Sequence, residues 1–235
     1  MSFIDRINPF APFKINRLGV LVKYRGSETT VIIPDSVKSI GKEAFRGLGA
    51  VKSVFVPDTV TEIGTEAFWD CQSLESINIP DSVKRIGRGA FRSCDSLINV
   101  EIPEGVTAIE YGTFTLCRTL QSVAIPKSVG RIEGKAFQSC HSLGQVSIPV
   151  GVKKIGYAAF ADCKALSRVD FPETITTISE KAFMGCKSLA TVTLPATVQH
   201  IRKEAFWDCK ALDHVKVPNS TIKATKAFPL ETLET

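Results

Sequence analysis

Hydrophobic and polar positions recur along this chain with a period of 23 residues, and the period persists over eight successive units. Four residue types mark the period, each in its own column. The isoleucine column is Ile40, Ile63, Ile86, Ile109, Ile132, Ile155, Ile178 and Ile201, the phenylalanine column runs from Phe45 to Phe206, the proline column from Pro34 to Pro218, and the cysteine column from Cys71 to Cys209. Self-similarity at a short fixed period predicts a solenoid, in which each unit packs only on its neighbours.

The first part of each unit has the pattern of a strand. In the unit of residues 74–96, Ile77 and Ile79 alternate with polar residues, which is the period-two pattern of a half-buried strand. Pro80 ends this strand because proline has no donor for the ladder, and the Pro-Asp-Ser sequence favours a turn. We therefore expect one short strand per unit, and a sheet built from equivalent strands.

The second part of the unit returns to the core twice. Val83 and Ile86 face inward on a short extended segment, for which we expect a second small strand. Gly87 is expected to take a positive φ where the chain changes direction. The apolar spacing in residues 88–94 predicts a single helical turn packed against the core.

Composition narrows the class of protein. An apolar fraction of 44% with 23% charged residues is typical of a soluble folded chain. No run of about 18 apolar residues predicts a membrane span. The first residues lack the apolar core of a signal peptide, which favours a cytoplasmic protein if Met1 is the native start. The net charge of +5 is too small to indicate a nucleic-acid partner.

The seven cysteines recur once per unit, without the paired spacing of a zinc site or the irregular spacing of a disulfide framework. Free cysteine packs as a small hydrophobic side chain. The spacing therefore predicts a ladder of buried thiols, which fits a reducing compartment.

The consensus L-x-x-V/I-x-I-P-x-x-V-x-x-I-G-x-x-A-F-x-x-C-x-x-L closely resembles the BspA-type leucine-rich repeat, over residues 31 to about 217. The resemblance implies an α/β solenoid: a right-handed array with a parallel sheet on one face and short helical turns and loops opposite. It also implies adhesion or protein binding, often at microbial surfaces. The departures from the pattern are Leu48 for cysteine, Thr113 for alanine, and Glu110, Glu133, Ser179 and Arg202 for glycine.

The repeat divides the chain into three parts. Residues 1–30 are expected to form an N-terminal cap, residues 31–217 eight repeats, and residues 218–235 a degenerate repeat and tail. Phe3, Ile4, Phe10 and Phe13 are available to seal the exposed core at one end. Within the cap, residues 19–24 are expected to form a strand, paired as a hairpin through residues 25–27 with residues 30–33.

Equivalent positions of successive coils should stack on one another, so the repeat indicates which catalytic or metal-ligating residues could lie close together. Ser147, Asp170 and His214 face outward from the sheet, but His214 lies two coils from Asp170, about 10 Å away if strands are spaced as in a sheet. A working base needs about 2.6–3.2 Å, so no triad is expected. The three histidines fall in different columns, and no Gly-rich phosphate loop is present. We therefore predict that the protein is not an enzyme and has no cofactor or metal.

Three surface features remain as candidate binding sites. On the sheet face, Arg168, Asp170, His214 and Lys216 are charged residues among small polar ones. In a second column, Tyr111 and Tyr157 flank Gly134, a slot that suits a sugar or an apolar side chain. A third column is basic, and its members are Arg118, His141, Lys164, Lys187 and Lys210, with Arg131, Lys153 and Lys154 elsewhere. Such a column suits an acidic partner, although each of the three features also fits an ordinary solvated surface.

The pattern as a whole predicts a noncatalytic, monomeric scaffold that binds another protein, for which an acidic partner is one hypothesis. The alternative is a cell-surface or secreted adhesin that binds a host matrix protein or a glycan, as the family resemblance implies. Neither hypothesis includes nucleic-acid binding or membrane insertion. The location stays open between the cytoplasm and the cell surface.

Overall fold

Coils of 23 residues stack along one axis in the computed structural model, which describes residues 12–229. The chain opens with β1 (Phe13–Ile15) and β2 (Val20–Tyr24), and each later coil adds a sheet-face strand and a corner strand. The sheet-face strands are β3 (Thr30–Ile32), β5 (Ser53–Phe55), β7 (Ser76–Asn78), β9 (Asn99–Glu101), β11 (Ser122–Ala124), β13 (Gln145–Ser147), β15 (Arg168–Asp170), β17 (Thr191–Thr193) and β19 (His214–Lys216). The corner strands are β4 (Ser39–Ile40), β6 (Glu62–Ile63), β8 (Arg85–Ile86), β10 (Ala108–Ile109), β12 (Arg131–Ile132), β14 (Lys154–Ile155), β16 (Thr177–Ile178), β18 (His200–Ile201) and β20 (Ile222–Lys223).

The sheet-face strands pair in parallel with a register of one repeat, so that Val54 lies opposite Ile77. The middle residue of each strand faces the core and its two neighbours face solvent, as the alternation predicts. Hydrogen-bonded pairing joins β3, β5 and β7, then β9 and β11, β13 and β15, and β17 and β19. The ladder is interrupted after β7, β11 and β15.

The corner strands confirm the expected second strand in each coil. They form two parallel ladders, one joining β2, β4, β6 and β8 and the other running from β10 to β20. Ile40 lies opposite Ile63, and Ile155 opposite Ile178, so the isoleucine column is a continuous buried row. The corner ladders and the sheet-face strands together place parallel strands on two sides of each coil.

The third side of the coil consists of consecutive turns, and residues 12–229 contain no helix. The backbone N–H groups of this side alternate between hydrogen bonds to the next coil and hydrogen bonds within their own coil. Phe45 donates to the Ala67 carbonyl of the next coil at 2.7 Å, whereas Leu48 donates to Phe45 within its own coil at 3.2 Å. Left-handed residues such as Glu43 and Asp70 recur twice per coil and interrupt helical geometry. The predicted helical turn was therefore wrong in this detail.

Stacked phenylalanine rings run through the core along the solenoid axis. From Phe45 to Phe206, neighbouring ring centroids lie 4.8–5.5 Å apart, with planes within 16° of parallel. Tyr24 extends the stack at one end and Phe228 at the other. Aromatic pairs at this distance add about 0.5–1.5 kcal/mol each beyond area burial. The stack therefore couples every coil to the next.

The cysteine column is buried and unpaired, as predicted. Each thiol donates to the carbonyl of the phenylalanine 26 residues earlier, as Cys71 does to Phe45 at 3.0 Å. Burial raises the pKa of Cys71 to about 12. The column thus consists of neutral thiols that satisfy carbonyl groups of the preceding coil.

The repeated glycine has a different role from the one predicted. Gly87 does not have a positive φ; the left-handed glycine of its coil is Gly89, with φ 60°. A Cβ on Gly87 would lie 2.6 Å from the Thr65 nitrogen and 2.7 Å from the Gly64 carbonyl carbon. Glycine is therefore favoured here because successive backbones approach closely, and the prediction of a positive φ was wrong.

The N-terminal strands also differ from the expected hairpin. β2 pairs antiparallel with β1, where Lys14 lies opposite Lys23, and parallel with β4. β3 pairs with β5 instead of β2, so the predicted hairpin was wrong. The expected sealing role of Phe3, Ile4 and Phe10 lies outside the described residues.

The last described coil is one residue shorter than the others, since His200 lies opposite Ile222. Despite this deletion, Phe228 stacks on Phe206 at 5.1 Å with parallel planes. Between residues 12 and 229, no helix has the length and apolar character needed to cross a membrane.

Candidate functional site

The charged candidates of the sheet face lie on β15 and β19, and those on β15 form a small network. Arg168 donates through Nε to Asp170 Oδ1 at 2.8 Å, and Ser147 Oγ donates to Asp170 Oδ2 at 3.0 Å from the neighbouring strand. These bonds, the one from Arg168 first, hold the pKa of Asp170 below its ordinary value. The Arg168 side chain is 70% exposed, so it remains available to a partner.

The candidates on β19 are bound differently. His214 Nδ1 lies 2.7 Å from Oδ1 of Asp213, the residue before it, and this hydrogen bond lowers the pKa of Asp213. Ser147 contacts Asp170 directly, without an intervening imidazole. The structure therefore places Ser147, Asp170 and His214 in two separate pairs, and they do not form the relay of a triad.

A cavity of about 470 Å³ opens where the ladder is interrupted between β15 and β17. Phe171 follows β15 at a position held by Ile79 and Ile125 after the other two interruptions. Its ring meets Phe183 edge-on, with centroids 5.7 Å apart and planes at 80°. The cavity is lined by Ser167, Arg168, Val169, Asp170, Phe171, Thr191 and Thr193.

A larger cavity of about 910 Å³ lies at the C-terminal end of the same face. Its wall includes His214 and Lys216 from β19, Lys210 from the turn side, and Pro229, the last described residue. The two cavities share Thr191 and Thr193, so they form one continuous surface. We call this surface the C-terminal sheet patch, defined as Arg168, Asp170, Thr191, Thr193, His214 and Lys216.

The two tyrosine candidates lie on the turn side, apart from the sheet patch. Tyr111 and Tyr157 are 37% and 43% exposed. The Tyr111 ring carbons come within 3.4 Å of where a Gly134 Cβ would lie, so the ring itself leans into the predicted slot. The Arg88 guanidinium lies 4.4 Å from the ring centre, and the Lys135 ammonium 5.9 Å. Tyr111 is therefore a ring held between cations.

Sequence reasoning overlooked two features. Ile32 and Phe55 lie opposite each other on β3 and β5 and are 71% and 50% exposed, which makes an apolar pair on the sheet face. Their column is polar or small in the later coils, and that contrast was the available signal. On the turn side, Trp69 lies under Arg46, with 3.8 Å between ring centre and guanidinium carbon, and near Arg92 at 5.4 Å.

Charge is distributed unevenly along the solenoid. Residues 118–229 contain sixteen Lys and Arg against eight Asp and Glu, whereas residues 12–117 contain twelve against thirteen. The sheet patch therefore lies in a cationic half of the molecule, although the whole chain has only a mild net charge. Among residues 12–229, no three His, Cys, Asp or Glu side chains come together as a metal site.

Stacked coils, parallel ladders and a core whose residues recur once per coil define a leucine-rich repeat solenoid. The family model described as "BspA type Leucine rich repeat region" matches residues 23–144 and 131–229 in six copies, so the chain belongs to the BspA-type leucine-rich repeat family. This confirms the resemblance proposed from the consensus. A search of curated proteins finds no match.

Solved structures agree on the fold. A leucine-rich repeat protein from Bacteroides ovatus is 22% identical, with a TM-score of 0.62, covering 91% of this chain and 81% of its own. The T. pallidum leucine-rich repeat protein is 25% identical, with a TM-score of 0.60, covering 87% and 89%. A leucine-rich repeat protein from Eubacterium ventriosum is 22% identical, with a TM-score of 0.52, covering 90% and 79%. These likenesses establish a repeat scaffold.

Proposed function

We propose that this chain is a noncatalytic scaffold that binds a partner protein through the C-terminal sheet patch. The observation that carries the proposal is the pair of adjoining cavities, lined by all four sheet-face residues that the sequence singled out. Concave pockets with a few convergent polar groups are the usual sites at which proteins bind small ligands, and here they would accept side chains of the partner. The remaining sheet-face positions are mostly small and polar.

The patch offers both kinds of hydrogen-bonding group. Arg168 and Lys216 are donors, Asp170 is an ionised acceptor, and the hydroxyls of Thr191 and Thr193 serve as either. Asp170 is already oriented by Arg168 and Ser147, which lowers the ordering cost of binding. A surface with both donors and acceptors suits a set of polar side chains on a partner protein. The excess of cations favours an acidic partner.

The arrangement supports binding and not catalysis. A general base must lie within hydrogen-bond reach of the group it deprotonates. His214 is hydrogen-bonded to Asp213, and Ser147 to Asp170, so the nucleophile and base of a hydrolytic site are not adjacent. This supports the noncatalytic part of the proposal.

The glycan-binding adhesin is a second hypothesis, and it depends on Tyr111 and Tyr157. Exposed rings suit the apolar face of a sugar, and the cations around Tyr111 hold its ring in one orientation. However, the ring of Tyr111 itself partly occupies the slot over Gly134. We therefore favour the sheet patch and use the tyrosines as the comparison surface.

The experiment compares three variants in capture of proteins from the native source. Immobilised wild-type chain, an Arg168→Glu/His214→Glu variant and a Tyr111→Ala/Tyr157→Ala variant are incubated with extract, and captured proteins are identified by mass spectrometry. A Lys153→Glu/Lys154→Glu variant controls for net charge, since these exposed lysines lie on the corner side. Affinity for the purified partner is then measured by calorimetry.

We expect the patch variant to weaken binding at least tenfold, while the tyrosine and corner variants stay within twofold of wild type. Loss of binding in the tyrosine variant alone would show that the wrong surface was chosen. Equal loss in the patch and corner variants would reduce the effect to net charge.

A further inference from the structure

Five successive coils each place one basic residue at the corner between the turn side and the sheet face. We call these residues the cationic ridge: Arg118, His141, Lys164, Lys187 and Lys210. The backbone joins the first four directly, because the residue after His141, Lys164 and Lys187 in each case donates to the carbonyl of the previous ridge residue. Ser142 donates to Arg118 at 3.1 Å, Ala165 to His141 at 3.0 Å, and Ser188 to Lys164 at 3.2 Å.

This pairing fixes the spacing of the ridge. Hydrogen-bonded segments lie about 4.8 Å apart, so the four joined positions span about 14 Å along the solenoid axis, and Lys210 in the next coil extends the row to about 19 Å. The positions also interact with one another: burial lowers the pKa of His141 most, and the charges of Lys164 and Arg118 lower it further. The ridge thus carries four positive charges at neutral pH, with the imidazole of His141 between Arg118 and Lys164.

The middle of the ridge is not neutralised. At its ends, Arg118 pairs with Asp95 at 2.6 Å and Lys210 with Asp208 at 3.9 Å. Within the part of the chain that the structure describes, no carboxylate comes within ion-pair distance of Lys164 or Lys187. Both lysines are exposed, so their attraction for an external anion is not offset internally.

A shelf of small residues lies beside the ridge, on the side towards the sheet face. Immediately after the ridge positions come Thr119, Ser142, Ala165, Ser188 and Ala211, and two residues later come Gln121, Gly144, Ser167, Ala190 and Asp213. Most of these residues are exposed, and all but Gln121 and Asp213, at the two ends of the second column, have small side chains. A main chain can therefore lie on the shelf with its side chains directed at the ridge.

We propose that the cationic ridge binds an extended acidic segment of a partner protein, running along the solenoid axis. An extended chain rises about 3.3 Å per residue and directs every second side chain to one face. About six residues therefore cover the ridge and direct three carboxylates towards it. No ridge residue belongs to the C-terminal sheet patch, although Lys210 lines the larger cavity beside it, so this inference goes beyond the proposed function.

The surroundings of the ridge favour a peptide over a single-stranded nucleic acid. Nucleic-acid grooves combine basic residues with aromatic rings on which bases stack. The shelf between Thr119 and Ala211 carries no aromatic residue.

The test uses fluorescence anisotropy with a labelled eight-residue peptide that contains six consecutive glutamates, and a glutamine version as reference. Lys164→Glu/Lys187→Glu removes the centre of the ridge. Lys153→Glu/Lys154→Glu makes the same charge change on the corner side and is the matched control. The patch variant Arg168→Glu/His214→Glu separates this site from the proposed function. Far-UV circular dichroism verifies that all variants are folded.

We expect the ridge variant to bind the glutamate peptide at least tenfold more weakly, and the two other variants to stay within threefold of wild type. Binding should also weaken steeply as sodium chloride rises. Equal losses in the ridge and corner variants, or equal affinity for the glutamine peptide, would overturn the proposal. Tighter binding of a thymidine hexanucleotide with the same variant pattern would assign the ridge to nucleic acid instead.

Discussion

The two halves of the solenoid share one core and have different surfaces. Residues 12–117 and 118–229 contribute the same phenylalanine stack and thiol column. The first half is nearly neutral and exposes the apolar pair Ile32 and Phe55, whereas the second carries an excess of cations and both sheet-face cavities. The repeat therefore maintains the fold while the irregular columns determine what each half can bind.

The ends of the sheet-face strands show the same contrast, at a paired end between β5 and β7 and at an unpaired end between β15 and β17. In the first half, the Asn78 side chain bonds both the N–H and the carbonyl of Val56, at 2.8 and 3.0 Å. In the second half, Phe171 lies beside the interruption after β15, and a cavity opens there. A polar side chain thus closes the strand end in one half, while a cavity remains in the other.

The largest expected effect comes from breaking the core that joins the halves. Phe114 stacks between Phe91 at 5.5 Å and Phe137 at 5.3 Å. Phe114→Ala should cost about 3–5 kcal/mol, and it should uncouple the halves because solenoid stability is summed over neighbouring interfaces. Urea unfolding of single-tryptophan versions, with Trp69 or Trp207 retained, reports each half separately.

In the wild-type background, the two tryptophans should report the same urea midpoint. In Phe114→Ala they should separate. Coincident midpoints together with a loss below about 1 kcal/mol would show that the stack does not couple the halves.

A second prediction concerns the closure of the strand end. Asn78→Ala removes the hydrogen-bond partners of both the N–H and the carbonyl of Val56. The substitution should lower the free energy of unfolding by about 1–2 kcal/mol. This lies at the lower end of the cost of unsatisfied backbone groups, because Asn78 is exposed and water can reach the site. Thr193→Ala, on the cavity side, should change stability by less than about 0.5 kcal/mol. Chemical denaturation measures the free energy of unfolding of both variants. Equally small losses in both would show that the Asn78 hydrogen bonds do not stabilise the strand end.

A third, smaller effect concerns the turn side. Ala158 has φ 50°, in the left-handed region, whereas its buried neighbour Ala159 does not. Ala158→Gly should stabilise the chain by about 0.4–1 kcal/mol, because glycine adopts this conformation without steric cost. Ala159→Gly should destabilise it by about the same amount. If both substitutions destabilise the protein, the hydrogen bonds of the turn side already offset the strain of the left-handed conformation at Ala158.

The smallest predicted effect is the pH dependence at the ridge. Burial first, then Lys164 and Arg118, lower the pKa of His141, while Asp162 and Asp95 raise it. Because the folded chain takes up this proton less readily than the unfolded chain, stability should fall as the pH drops below about 6.5. His141→Gln should flatten that slope. An unchanged slope between pH 7 and 5 would show that other groups control it.

The sequence predicted the core and the strands because each depends on a column that the period aligns. It did not predict the turn side, since the bonds from Phe45 to Ala67 and from Leu48 to Phe45 combine neighbouring coils, and a single unit shows only its own spacing. For the same reason, Gly87 was assigned a positive φ, although its constraint comes from the backbone of Gly64 and Thr65. The sequence of a single repeat does not show the contacts between coils.

For the candidate site, column positions predicted that Arg168, Asp170, His214 and Lys216 face outward, and that His214 and Asp170 lie apart. The cavities themselves were not predictable. They depend on where the ladder is interrupted and on Phe171, a change that leaves the hydrophobic pattern intact. The exposed pair of Ile32 and Phe55 was detectable as a break in a polar column, but the strand pattern alone made both residues look ordinary.

The constant register between coils has a consequence for folding kinetics. The hydrogen bonds that join coils connect residues about one repeat apart, as do the stacked rings. Relative to the chain length, this separation gives a contact order of about 0.1, which is the range of helical bundles and not of sandwiches. A protein made of strands and turns should therefore fold faster than a sandwich of the same length, starting at any well-formed pair of coils and adding the others one at a time.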